Sequence, residues 1–120
     1  MHRHKDLEIW KRGIELAALI YRITDSFPEK ERFGLSLQIR RSSVSVPSNI
    51  AEGSGRSSER WFLHFLNISY ASLNELETQL IIANRVGYLS ETEFEMLSSE
   101  VSQLQKMIFK LIQNKRREIG

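Results

Sequence analysis

A chain of 120 residues fits one domain that buries about two thirds of its unfolded surface, and 41% hydrophobic against 27% charged residues is a globular balance, neither disordered nor fibrous. With 17 Lys and Arg set against 15 Asp and Glu, the net charge of +2 prescribes no polyanionic partner, so local clusters of charge carry more information than the total. The absence of cysteine excludes disulfides, thiolate catalysis and Cys-ligated zinc, and the longest apolar run, Leu16 to Tyr21, falls far short of the roughly 20 residues that a membrane span needs; no membrane partner and a cytoplasmic location are expected.

Leu7, Trp10, Ile14, Ala17 and Tyr21 recur at steps of 3 and 4, which predicts a first helix over about residues 6–25. A second stripe, Ile9, Leu16, Ile20 and Ile23, makes its apolar surface wider than a small bundle needs, and the surplus predicts a subunit interface. Thr24 to Pro28 breaks the pattern, because Pro28 disfavours helical geometry at Phe27 while fitting the first turn of a new helix. Helix two, about 29–53, opens near Pro28 or after Gly34 and runs through Leu35, Ile39, Val46 and Ile50 to Gly53-Ser54-Gly55. Pro47 lies inside it and cannot bond the Ser43 carbonyl, so a kink is expected there, with a break into two helices as the rival.

Ser57 or Ser58 caps helix three, about 57–86, whose stripe reads Phe62, Phe65, Leu66, Ser69, Leu73, Leu76, Leu80 and Ala83 before Gly87 ends it. Ser90 followed by Glu93 is a capping box opening helix four, about 91–116, with Phe94, Leu97, Val101, Leu104, Ile108 and Leu111 on its apolar face and a fraying tail from Asn114. No segment alternates with period two, and the connections are short. The fold class that follows is all-α: one domain, residues 1–120, forming an antiparallel up-down-up-down four-helix bundle with helix two kinked near Pro47.

Gln38 to Arg56, QIRRSSVSVPSNIAEGSGR, is the least ordinary stretch, since its serines are mediocre helix formers and an interior proline costs about 3 kcal/mol in an isolated helix. Arg41, Ser45, Ser48 and Glu52 share one face, and Glu52 and Arg56 stand four apart. One reading is structural: an ion-pair and hydrogen-bond network in which small serines admit a close neighbouring helix, Asn49 bonds backbone freed around Pro47, and Gly53 supplies a positive φ that ends the helix. The other makes Arg40, Arg41 and Arg56 phosphate contacts on a basic rim, joined by Arg60 and by Lys115, Arg116 and Arg117 near the end of helix four.

These residues carry a resemblance. DLEIWKRGIEL in helix one, FPEKERFGLSLQIRRSSVSVPSNIAEGSGR through helix two, FLHFLNISYASLNELETQL in helix three and the following GYL resemble the four-helix-bundle proteins encoded in intervening sequences of bacterial 23S ribosomal RNA genes. Trp61 before Phe62, the Ser69-Tyr70-Ala71-Ser72 run and Gly13 in place of a usual alanine depart from that pattern. The resemblance implies a non-enzymatic, ring-like homo-oligomer, a pentamer. A related branch, the accessory proteins of diversity-generating retroelements, implies as partners nucleic acid, RNA or DNA, and a reverse transcriptase or another protein.

Catalytic and metal chemistry find no support in the residues. The Glu-x-x-His motifs of di-iron bundles are missing, His2 and His4 lie at the amino end, and His64 has Arg60 and Ile68 as its helical neighbours. Glu75 and Glu77 point to different faces, Glu91 and Glu95 read as first-turn charges, and Gly53-Ser54-Gly55 lacks the lysine of a phosphate loop. Neither a cofactor nor a metal is expected. Trp10, Trp61 and Tyr70 are able to stack on bases, although aromatics at helical spacing more often anchor a core or an interface. A nucleic-acid-binding oligomer is the leading expectation, and a protein-interaction scaffold with no nucleic-acid role is the alternative.

Overall fold

The computed structural model describes residues 1–120 as four helices with no strand: α1 (Glu8–Thr24), α2 (Leu35–Ser54), α3 (Glu59–Arg85) and α4 (Glu91–Ile119). Each helix packs on the next, α1 also packs on α4, and the molecule is elongated, 46 × 21 × 20 Å. One end gathers the start of α1, the end of α2, the start of α3 and the end of α4: His2 N–H donates to the Ser54 carbonyl at 2.8 Å, and Glu59 meets both His2 and Lys115. At the other end Arg40 reaches the last turn of α1, and the Tyr88 hydroxyl donates to Glu31 at 2.8 Å. These are the termini that antiparallel neighbours bring together.

The core is a continuous column of aliphatic side chains with Phe62 at one end and Phe27 toward the other. From α3 it takes Leu66, Leu73, Leu76 and Leu80, and from α4 it takes Leu97, Val101, Leu104, Ile108 and Ile112. On α1 the two stripes exchange the roles that the sequence suggests. Ile9, Leu16, Ile20 and Ile23 are the buried set, whereas Ile14 and Tyr21 are 41% and 45% exposed. Trp10 is half-buried against the core, so the surplus apolar face of α1 is the Ile14-Tyr21 side.

Helix two begins later than residue 29, because Glu29–Glu31 form a short 3-10 turn and Gly34 breaks the backbone before Leu35. The Glu31 carboxylate then accepts the free Leu35 N–H at 3.1 Å, in place of a conventional capping residue. α2 runs unbroken through Pro47, which removes the reading of two separate helices. Pro47 is buried, and a Cβ on Gly13 of α1 would lie only 3.2 Å from its ring, so the proline is a contact surface between α1 and α2.

Gly53 does not supply a positive φ. Only Gly87 and Gly120 have one, and Gly53 is buried and helical, two residues before the Gly55 cap. A Cβ there would fall 2.7 Å from Phe65 Cβ and 3.3 Å from the Phe62 carbonyl, so glycine lets α3 cross α2 closely. The tail of α4 does not fray at Asn114: the helix continues to Ile119, tied by Lys115 to Glu59 and Glu118.

Candidate nucleic-acid interface

Two serines of α2, Ser42 and Ser45, face α3. Ser42 Oγ bonds Gln79 Oε1 at 2.6 Å, the Ser45 and Ser72 hydroxyls meet at 2.8 Å, and Ser69 donates to the Val46 carbonyl at 2.8 Å. Asn49 Nδ2 donates to the carbonyl and hydroxyl of Ser45, at 2.8 and 2.9 Å, and so braces the turn containing Pro47. The buried hydroxyls of Ser42, Ser69 and Ser72 in this seam each have a partner, as burial demands. Ser45, Pro47, Asn49 and Gly53 thus act in helix packing, while Glu52 holds Arg56 at 2.6 Å on the surface.

Arg40 is occupied. Its Nε–H donates to Thr24 Oγ1 at 2.9 Å, a terminal nitrogen lies 3.3 Å from Asp25, and the guanidinium stands 4.7 Å from the centre of the Tyr21 ring. A cation at this position also offsets the negative end of the α1 dipole. Arg41 is exposed beside a polar cleft of about 380 Å³ that it shares with Glu75 and Gln79. From Arg41 to the end of α2 at Ser54 the helical rise alone is about 20 Å, so Arg40 and Arg41 form no common rim with Arg56.

Arg56 does share an end of the bundle with Arg60, Lys115, Arg116 and Arg117. Its guanidinium lies 5.3 Å from the Trp61 ring centre and 5.0 Å from that of Phe65. Arg60 is exposed and makes no ion pair. Lys115, only 12% exposed, is bound to Glu59 at 2.7 Å and to Glu118 at 3.2 Å. The hydrogen bond from Lys115 holds Glu59 below the usual glutamate range against a modest burial penalty, with His2 helping, and Glu59 in turn raises Lys115. Lys115 is thereby a structural cation.

Six of the 17 Lys and Arg side chains make ion pairs: Arg3, Arg12, Arg32, Arg40, Arg56 and Lys115. Lys106, Lys110, Arg116 and Arg117 are exposed and make none, Arg117 bonding only the neutral Asn114 at 2.6 Å. Lys106, Lys110 and Arg117 line an open groove of about 600 Å³ between α3 and α4, together with Tyr70, Phe109 and Gln113. The Tyr70 and Phe109 rings stand 5.9 Å apart at 62°. No carboxylate lines this groove. In the apolar groove on the α1 side of Lys110, Glu8 is present, but it is the partner of Arg12 at 3.9 Å.

Lys106 and Lys110 are absent from the residues that the sequence singles out. A signal existed: Val101 to Arg117 contains five cations and no carboxylate, and Lys106, Lys110, Gln113 and Arg117 are spaced at steps of 4, 3 and 4. Among all residues no cluster of three His, Asp or Glu is arranged to hold a metal ion, and no helix is long and apolar enough to cross a membrane.

The family model described as 23S rRNA-intervening sequence protein matches residues 5–110. The chain belongs to that family. The fold is similar to the crystal structure of a protein of unknown function from the S23 ribosomal protein family of Bacteroides thetaiotaomicron, with a TM-score of 0.78 and 27% identity. The likeness covers 87% of this chain and 97% of that one. No curated protein matches. Within the family match fall the α2–α3 seam and the cations Lys106 and Lys110, while Arg116 and Arg117 lie beyond it.

Proposed function

We propose that this chain is a non-enzymatic, homo-oligomeric bundle of the cytoplasm that binds RNA or DNA with little sequence preference through the basic end of α4. The observation that carries the reading is the run of exposed cations Lys106, Lys110, Arg116 and Arg117, which no carboxylate neutralises. Cations near a helix C-terminus also complement its dipole, but that effect fades within the last turn and Lys106 lies well outside it. Four phosphate contacts on one subunit bind weakly, and repetition in an oligomer makes them multivalent. Self-association is supported by the exposed apolar side chains Ile14 and Tyr21 on the outer side of α1, and the pentamer that the family resemblance implies is the assembly proposed.

Labelled RNA is expected to bind at low salt, with log affinity falling linearly as log salt rises. Lys106→Ala and Lys110→Ala should each weaken binding and flatten that slope by about 0.7 on a single strand, whereas Arg40→Ala, whose partners are all internal, should leave the slope unchanged. Failure of RNA and DNA alike to bind at low salt would sink the proposal. A protein partner that survives nuclease treatment, with no nucleic-acid binding by the purified chain, is the outcome that favours an interaction scaffold instead.

A further inference from the structure

Phe109 is out of place on a merely solvated face. It is 40% exposed, it stands one turn from Lys106 and beside Lys110, and its ring meets Tyr70 of α3 in an edge-to-face pair. The Tyr70 hydroxyl has no hydrogen-bond partner in the chain. Along the same strip of α4 the polar positions Lys106, Lys110, Gln113 and Arg117 span 12 residues, 11 helical steps that rise about 16 Å. The groove of about 600 Å³ therefore has an aromatic wall and a cationic edge, and no anion opposes either.

We infer that the groove between α3 and α4 takes single-stranded nucleic acid, with bases against Phe109 and Tyr70 and phosphates along Lys106, Lys110 and Arg117; this rests on the nucleic-acid function proposed above. A duplex keeps its bases stacked inside and offers a flat helix surface only phosphates, for which an exposed phenylalanine does nothing. A single strand offers both parts: π-faces that stack on aromatic rings whatever the base, and a backbone that follows a positive groove. Lys106 and Lys110 are separated by about 6 Å along the helix, a spacing that an extended strand matches with successive phosphates. The two aromatics lie on different helices, so the strand seats across the α3–α4 seam.

Fluorescence anisotropy of the wild-type oligomer with labelled oligothymidylate, oligouridylate and a hairpin duplex of matched length tests this. Either single strand should bind more tightly than the duplex, and their ratio tells DNA from RNA. Phe109→Leu keeps an apolar side chain at a half-exposed position, so the fold should persist by circular dichroism; it should weaken single-strand binding about fivefold or more and leave duplex binding unchanged. Phe109→Trp should restore binding, with its indole emission quenched as the strand seats. Equal affinity for strand and duplex, or a Phe109→Leu variant that binds like wild type, overturns the single-strand site while leaving non-specific binding intact. If no probe binds at low salt, both readings fall.

Discussion

Glu59 joins more of the chain than any other charged residue. Its carboxylate lies 2.7 Å from His2 Nε2 and 2.7 Å from Lys115 Nζ, and so ties the segment before α1 and the last turns of α4 to the first turn of α3. Lys115 lowers the Glu59 pKa, so this contribution to stability is complete above the ordinary glutamate range and is lost as acid protonates the carboxylate. Glu59 raises Lys115, so the same contact is complete below the ordinary lysine range and is lost in strong base. Neutral pH lies inside the window. Glu59→Gln should lower the melting temperature modestly near pH 7, since its side chain is 39% exposed and solvent screens the pair, and the difference from wild type should shrink as the pH falls from 7 to below the ordinary glutamate range. Thermal melts across that range check it; a gap that stays constant in acid would mean that the ion pair contributes nothing.

At the scale of elements, the α2–α3 seam sets the shape of the subunit, and glycine and serine set the seam. Gly53→Ala would put a methyl group 2.7 Å from Phe65 Cβ, forcing the helices apart at a cost of about 1–3 kcal/mol, more than the gain of up to about 1 kcal/mol from better helix propensity. Gly55→Ala is the control: its nearest atoms are carbonyl oxygens at 3.7 and 3.8 Å and its φ of −82° suits any residue. Urea midpoints should drop for the first variant and not for the second, with unchanged slopes; equal midpoints would refute the close-approach role of Gly53. The sequence makes Gly53 legible as special but not why, because a helix stop and a helix crossing select the same residue. Apolar periodicity was enough for the all-helical fold, and the capping box at Ser90 and Glu93 forms as its spacing suggests. On α1 periodicity finds two adjacent stripes and does not rank them; the residue types do, since Ile9, Leu16, Ile20 and Ile23 are wholly aliphatic while Trp10 and Tyr21 carry a polar N–H and O–H. The candidate site was least legible. The arginine pair at Arg40-Arg41 draws the eye, yet Arg40 turns inward to Thr24 and Asp25, while the carboxylate-free run on α4 is present in the sequence but only the fold shows that no carboxylate from α3 lines the groove beside its lysines.

For the whole molecule, the outer side of α1 poses the question of assembly. Gly13 touches Pro47 and the Tyr21 ring lies under Arg40, so residues 14–21 of α1 run beside 40–47 of α2. Val44 is one helical turn from Arg40 on that same side, and with Ile14 and Tyr21 it forms an apolar strip whose members are 40–45% exposed. Single exposed aliphatics need no explanation, but a strip shared by two packed helices, beyond what the core already covers, is the kind of surface that a second copy buries. A heterologous contact repeated by rotation closes into a ring, so one strip suffices if it meets a different face of its neighbour. The wild-type chain should then scatter light with a mass several times its 14.0 kDa, about fivefold for the proposed pentamer, and the value should hold on dilution. Ile14→Glu combined with Val44→Glu puts like charges on the strip without touching a core residue, and should give a helical monomer. Loss of the ring should also weaken nucleic-acid binding by about two orders of magnitude or more through lost multivalency, while leaving the effect of Phe109→Leu on each subunit in place. A wild-type chain that is monomeric at every concentration would remove both the interface and the avidity that the binding proposal relies on.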